Sequence, residues 1–251
     1  MTVKELLAAG VHFGHARGNV HPKMFPFIYT THYPVRADNL TAVYGGVHII
    51  DVRKTLQQLE MASSFLYDAV LRGATILFVG TKQAARESVE KCAQACGAYY
   101  VTTKWIGGML TNFHATTLSS IERMEELKKL VASPIFQHLP LCDRRMSEKR
   151  LTELQAIYGG MVGLTSPPDV IYLVDIVHER VALAEANKLG IATVAIVDTN
   201  GDPTKVTIPI PANDDSIRAI ALITEYLANA IAEARQLVSA EEMVADGSQT
   251  E

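Results

Sequence analysis

The chain has 251 residues, 48% of them apolar, and its 23 Lys and Arg against 27 Asp and Glu leave a net charge of −4. That is ample for a sizeable core in one α/β domain or one domain with an insertion, while the acidic total taken alone speaks against a nucleic-acid partner. Three cysteines without a paired framework exclude a disulfide scaffold and point to a reducing compartment; no signal segment opens the chain, and no run approaches the roughly 20 apolar residues of a membrane span.

Thr2-Val3-Lys4-Glu5 has the form of a capping box and predicts a short helix that stops at Gly10. From there to Ile28 the chain mixes glycines, prolines, aromatic residues and cations, and reads as a long irregular arm. Five of the eight histidines, His12, His15, His21, His32 and His48, lie before residue 50. Their spacing matches no metal-ligand pattern, whereas imidazoles beside Arg17 and Lys23 suit sugar-phosphate contact and stacking on bases. The competing reading is a loop packed by its own aromatics. Residues 30–46 read as a surface excursion.

Residues 47–51 predict the first strand, and 54–71 a helix with Leu56, Leu59, Phe65, Leu66 and Val70 at near-helical spacing. Residues 74–79 and 98–101 predict further strands with a helix over 83–96 between them. Such alternation with short connections implies right-handed crossovers and a parallel sheet covered on both faces. Cys92 and Cys96 stand one turn apart on that helix and read as small buried side chains. Gly80-Thr81-Lys82 offers a helix N-terminus to an anion but carries neither the dinucleotide fingerprint nor the Walker form, so no nucleotide cofactor is expected.

Residues 103–113, Thr-Lys-Trp-Ile-Gly-Gly-Met-Leu-Thr-Asn-Phe, hold the only tryptophan. Gly107 and Gly108 let another backbone come close, and Thr111 or Asn112 is expected to cap the next helix. Lys104 and Trp105 thus stand at a hinge built to touch something, the alternative being a buried tryptophan beside a tight turn. Beyond it, Leu118, Ile121, Met124, Leu127 and Val131 form one apolar stripe, and Leu151, Leu154 and Tyr158 a second. Two narrow stripes joined by a loop through Pro140 predict an antiparallel helical hairpin inserted over 111–160, with Arg144, Arg145, Lys149 and Arg150 near its tip.

Residues 169–175 and 191–197 predict two more strands around a helix over 178–189. A last helix runs from Ser216 to about Val238 with a negatively charged cap, and residues 239–251 read as a disordered acidic tail. Asp198, Asp202, Asp214 and Asp215 follow late strands, where open sheets bind ligands; with a nearby histidine they could hold a divalent ion, but turn and cap chemistry is the expectation and no metal is assigned. No nucleophile stands beside a base, so no catalytic residue is assigned. An enzyme using the loops after Val79, Val174 and Val197 is the alternative that the fold class alone leaves open.

Charge is segregated along the chain. Residues 1–56 carry six Lys and Arg against three Asp and Glu, residues 104–150 eight against five, and residues 198–251 three against ten. Two basic stretches and an acidic end are compatible with polyanion contact despite the total.

Seven stretches then coincide with one family. They are Gly10-Val11-His12-Phe13-Gly14-His15, Pro22-Lys23-Met24, His48-Ile49-Ile50-Asp51, Phe78-Val79-Gly80-Thr81-Lys82, Trp105-Ile106-Gly107-Gly108-Met109-Leu110-Thr111-Asn112, Ala195-Ile196-Val197-Asp198-Thr199-Asn200, and Ile208-Pro209 with Asn213-Asp214-Asp215-Ser216-Ile217-Arg218. In order along nearly the whole chain, they resemble the bacterial-type small-subunit ribosomal protein two family. The resemblance implies a flavodoxin-like parallel sheet with helices on both faces and an inserted antiparallel helical hairpin of coiled-coil type. Residues 1–46 would form an RNA-contacting arm, 47–110 and 161–238 the sheet domain, and 111–160 the hairpin. It further implies no catalysis, no cofactor, and a structural place between head and body of the small ribosomal subunit, in a bacterial cytoplasm or an organelle matrix. The partner would be small-subunit ribosomal RNA, contacted by His12, His15, Arg17, His21, Lys23, Lys82, Lys104, Trp105, Asn112, Arg144 and Arg145. Neighbouring ribosomal proteins, and in bacteria ribosomal protein one, would dock on it; neither a membrane nor a second copy of the chain is expected. Two features depart from the family pattern: the 31–46 excursion is longer, and Leu141-Cys142-Asp143 replaces a more basic run.

Overall fold

The computed structural model describes residues 1–29, 43–44 and 46–247. Helix α1 (Val3–Ala8) begins with the expected capping box: Thr2 Oγ1 accepts from Glu5 N at 3.4 Å, and the Glu5 carboxylate accepts from Thr2 N at 2.8 Å.

The arm that follows is more ordered than its composition suggests. Strand β1 (Phe13–Ala16) is followed by a 3-10 turn over Pro22–Phe27, and β1 joins β2 (Val43–Tyr44) and β3 (Val47–Ile49) in a small antiparallel sheet of order β1-β3-β2. The predicted first strand therefore does not belong to the parallel sheet. Phe13 lies opposite Ile49 and Ala16 opposite Val47, so β3 is satisfied by its own neighbourhood. Asp51 then caps α2 (Val52–Leu71) by accepting from Arg53 N at 3.1 Å. Of the expected 30–46 excursion, all but residues 43, 44 and 46 lies outside the described residues.

The main sheet is five-stranded and parallel, with order β5-β4-β6-β7-β8: β4 (Ile76–Val79), β5 (Tyr99–Val101), β6 (Val170–Val174), β7 (Ala192–Val197) and β8 (Ile208–Pro211). This is the flavodoxin-like order, in which the chain reverses direction across the sheet between β4 and β6. Strand β8 escapes a sequence reading because Pro209 and Pro211 cannot donate to a ladder. At an edge with β7 as its sheet neighbour, that loss is tolerated.

Both faces are covered, as continuous apolar strands require. Ile76, Phe78, Tyr172, Val174, Val194 and Ile196 pack with apolar side chains of α2, α3 (Arg86–Cys96) and α7 (Ile217–Gly247). Leu77, Val79, Ile171, Leu173, Ala195 and Val197 pack with α6 (Arg180–Leu189), Met24 of the 3-10 turn, and Met109, Leu110 and Phe113. Between β5 and β6 lie α4 (Ser119–Ala132), entered through a π-turn at His114–Leu118, and α5 (Leu141–Tyr158), which pack against each other. Ile121 and Tyr158 root this pair in the second core. Helix α7 continues to Gly247 instead of ending near Val238, so residues 239–247 are helical where disorder was expected; the Ala and Glu content of that stretch favours helix.

Candidate functional site

The carboxyl ends of the parallel strands bring together the loops after β4, β6, β7 and β8, and the N-terminal arm lies across them. Gly14 allows the crossing: a Cβ there would stand 2.5 Å from Thr199 Cγ2 and 3.1 Å from Asp198 Oδ1. The approach is fixed by His15 N donating to Thr199 Oγ1 (2.9 Å) and His21 N donating to the Thr199 carbonyl (2.7 Å). Side chains follow: His15 Nδ1 faces Asp198 Oδ2 at 2.9 Å, and Lys23 Nζ donates to Asp202 Oδ2 (3.0 Å) and Thr204 Oγ1 (2.7 Å).

On the sheet side Lys82 is half-buried, 3.1 Å from Asp175 Oδ2, 2.7 Å from Asp214 Oδ1 and 2.7 Å from Asp215 Oδ1. Burial opposes its charge, yet the hydrogen bonds to Asp214 and Asp215 outweigh that and hold the ammonium above its ordinary pKa. Asp214 is fully buried; desolvation, with the Asp175 and Asp198 carboxylates, pushes it up to about 7 against the pull of Lys82. The neighbouring Asp198 raises His15 to about 9, burial working against it. Asp202 goes down to about 2: desolvation is overcome by hydrogen bonds from Thr204 and Lys23.

A cleft of ≈ 380 Å³ opens beside this cluster at the β4–β6 switch point, with Lys82, Arg86, Lys104, Trp105, His178 and Glu179 in its wall. The Trp105 loop in that wall is held from below by a buried carboxylate. Glu185 Oε1 accepts from Trp105 Nε1 (3.2 Å) and Gly108 N (2.7 Å), and its Oε2 from Leu110 N (3.0 Å), Thr111 N (3.0 Å) and Thr111 Oγ1 (3.1 Å). Thr111 therefore serves Glu185 and does not cap the next helix, and Phe113 precedes the π-turn without a side-chain cap. A second buried carboxylate, Glu179, accepts from Thr81 N (2.7 Å) and Thr81 Oγ1 (2.6 Å). The edge thus offers cations and an aromatic over acids that are engaged internally. No nucleophile paired with a base stands there among the described residues.

Comparison with known proteins settles the family. The family model described as Ribosomal protein S2 matches residues 6–234. The chain belongs to that family. Its relatives include proteins named small ribosomal subunit protein uS2 from Dictyoglomus thermophilum (44% identity), Dictyoglomus turgidum (45%) and Coprothermobacter proteolyticus (43%). Each alignment spans 94% of this chain, with 90%, 90% and 83% of the respective relatives. The ribosomal protein S2 family is structural and not enzymatic. No helix among the described residues is long and apolar enough to cross a membrane.

Within this member of the family, the residues picked from the sequence divide into two sets. His15, His21, Lys23 and Lys82 converge on the acidic loops and are largely occupied there. Burial lowers the His12 pKa, and its ring packs on Phe13 at 4.0 Å between centroids. Trp105 is half-buried with its indole N–H bound, so the buried-tryptophan alternative accounts for part of its role. Arg17, Lys104, Asn112 and Arg145 are exposed, and Arg144 is half-buried with its Nε lacking a partner among the described residues. Glu185 and Glu179 were missed, although Glu185 carries a signal: it lies on the same helical face as buried Ala182 and Ala186, where an unpaired acid would be costly.

Proposed function

We propose that the chain is a structural constituent of the small ribosomal subunit that binds small-subunit ribosomal RNA and supports translation without catalysing a step. The observation that carries this reading is 43–45% identity across 94% of the chain to relatives named small ribosomal subunit protein uS2. Cationic side chains supply the means: Arg17 on the arm, Lys104 beside Trp105, and Arg144 and Arg145 on α5 would neutralise phosphates, while Trp105 at the cleft and Asn112 farther along the same loop would meet unstacked bases or sugars. His12, His15, His21, Lys23 and Lys82 would shape the same surface, fixing the arm and offering their free edges. The exposed apolar side chains Ile135, Leu141 and Met146 would receive neighbouring subunit proteins, ribosomal protein one among them.

The test is sedimentation of the tagged chain from a cell lysate. Co-migration with small subunits is expected, and a soluble low-mass pool alone would refute the assignment. For the contacts, binding of ribosomal RNA by the purified chain should weaken in the Arg17→Ala and Lys104→Ala double variant, with the slope of log affinity against log salt falling by about 0.7–0.9 per lost phosphate contact. An unchanged slope would remove both side chains from the interface.

A further inference from the structure

We propose that the cleft at the β4–β6 switch point is a site for one nucleoside monophosphate, with the phosphate on Arg86 and Lys104 and the base against the ring of Trp105. Open parallel sheets take their ligands in the crevice outside a switch point. The volume of ≈ 380 Å³ lies at the low end of the roughly 300–1,000 Å³ that small-molecule sites occupy, which suits one nucleotide and is too little for a dinucleotide. The phosphate loop that the sequence lacks is not needed where side chains carry the charge.

The wall is built for an anion. Arg86 Nε donates to the Thr81 carbonyl (3.0 Å) and Nη2 to the Thr103 carbonyl (3.3 Å), so the guanidinium is fixed across the loops after β4 and β5 before a ligand arrives. Arg86 and Lys104 are exposed, and neither forms an ion pair among the described residues. Lys82, in the same wall, is by contrast neutralised by Asp175, Asp214 and Asp215. The one polar side-chain atom of Trp105 is bound to Glu185, so what Trp105 offers the cleft is ring surface, on which a base can stack. Glu179 points to a ligand independently of the cations. It is 2% exposed and lines the cleft, yet both of its hydrogen bonds, from Thr81, fall on Oε1, and no described residue takes its Oε2. A carboxyl oxygen so placed needs a partner. Burial pushes the Glu179 pKa up, against the hydrogen bonds from Thr81; a proton on Oε2 can then be donated to the ligand, and the phosphate is spared a facing negative charge.

The nucleotide has two sources, free in solution or everted from RNA, and only the second rests on the RNA-binding reading above. Emission from Trp105, the only tryptophan, reports the site in the full chain. AMP or GMP should quench it saturably, with one equivalent bound by calorimetry. Adenosine, ribose 5-phosphate and inorganic phosphate, each lacking part of the contacts, should bind at least about tenfold more weakly. Lys104→Ala, which removes an exposed side chain and so should leave the fold intact, should weaken AMP about tenfold. Small-subunit ribosomal RNA is then added: AMP excluded from the RNA-bound chain assigns the site to an everted nucleotide, and AMP bound as before assigns it to a free one. No saturable quenching up to about 10 mM AMP or GMP, ribose 5-phosphate as tight as AMP, or an unchanged affinity in Lys104→Ala would each overturn the proposal. Such a failure leaves sedimentation with small subunits untouched, whereas a chain that binds AMP but stays out of the subunit upholds this site and refutes the ribosomal assignment alone.

Discussion

Replacing Glu185 by Ala tests how the Trp105 loop is held in place. Glu185 is 8% exposed and Leu110, one of its partners, 2%. Without the carboxylate, the Leu110 N–H is stranded in the core, which costs about 1–3 kcal/mol. The indole, Gly108 and Thr111 donors lie nearer solvent and rehydrate in part, adding roughly 1–2 kcal/mol. The sum, about 2–5 kcal/mol, corresponds to a fall in Tm of roughly 4–20 °C for a chain of this size. Urea unfolding followed by circular dichroism measures the loss, and Trp105, the single tryptophan, should show red-shifted emission before any urea is added. Glu185→Gln keeps one acceptor and should lose about half as much. Burial pushes the Glu185 pKa up, but hydrogen bonds from Thr111, Gly108, Leu110 and Trp105 hold it below the ordinary 4.5. Its contribution is therefore fully present above pH 4.5 and is lost as pH falls through the depressed folded value, so the Gln variant should show a flatter acid limb. An Ala variant within 1 kcal/mol of the parent with unshifted emission would refute the account.

Three further substitutions follow from the packing. Gly160→Ala would set a Cβ on the Tyr100 carbonyl oxygen and ring and should cost about 1–3 kcal/mol in chemical denaturation, whereas Gly159→Ala, which meets nothing within 4 Å, should stay within about 0.5 kcal/mol. Thr224→Val removes the partner, at 3.0 Å, of the buried Tyr172 hydroxyl and should destabilise by about 1–3 kcal/mol in urea; a neutral result would mean the hydroxyl finds another acceptor. Lys23→Met breaks a pair whose lysine is 52% exposed and should shift thermal unfolding by less than about 1 kcal/mol, so a loss above 2 kcal/mol would show the arm to be held mainly through that contact.

What could be read from the sequence followed the range of the forces involved. Capping at Thr2 and Glu5, the stop of the first helix at Gly10 and the continuous apolar runs of β4, β6 and β7 are local, and pattern reveals them. Strand β3 was read correctly as a strand and wrongly as a member of the parallel sheet, because a stretch as short as residues 47–51 does not say which partner it pairs with. Strand β8 was hidden by prolines that only an edge position permits. Asp198, Asp214 and Asp215 were recognised as following late strands, but their meeting with His15 from the opposite end of the chain depends on where the arm runs, and no local rule specifies that. The same holds for Glu185 and the loop 74 or more residues before it.

The acidic total and the proposed polyanion contact are reconciled by where the acids sit. Asp175, Asp198, Asp202 and Asp214 are buried or nearly so and face His15, Lys23 and Lys82 within the fold, so they bind the chain to itself. The cost is that these cations, prominent in the sequence, are partly spent internally, and in the proposed contact the phosphate-facing charge would fall to Arg17 on the arm, Lys104 on the Trp105 loop, and Arg144 and Arg145 on α5. Separated cations of this kind match a folded RNA whose phosphates lie on several strands better than a single extended one. It follows that removing an internal pair such as His15 with Asp198 should loosen the arm and weaken RNA binding without changing its salt slope, while removing Arg17 should change the slope and leave the arm in place. Salt dependence therefore separates side chains that touch RNA from those that only position it.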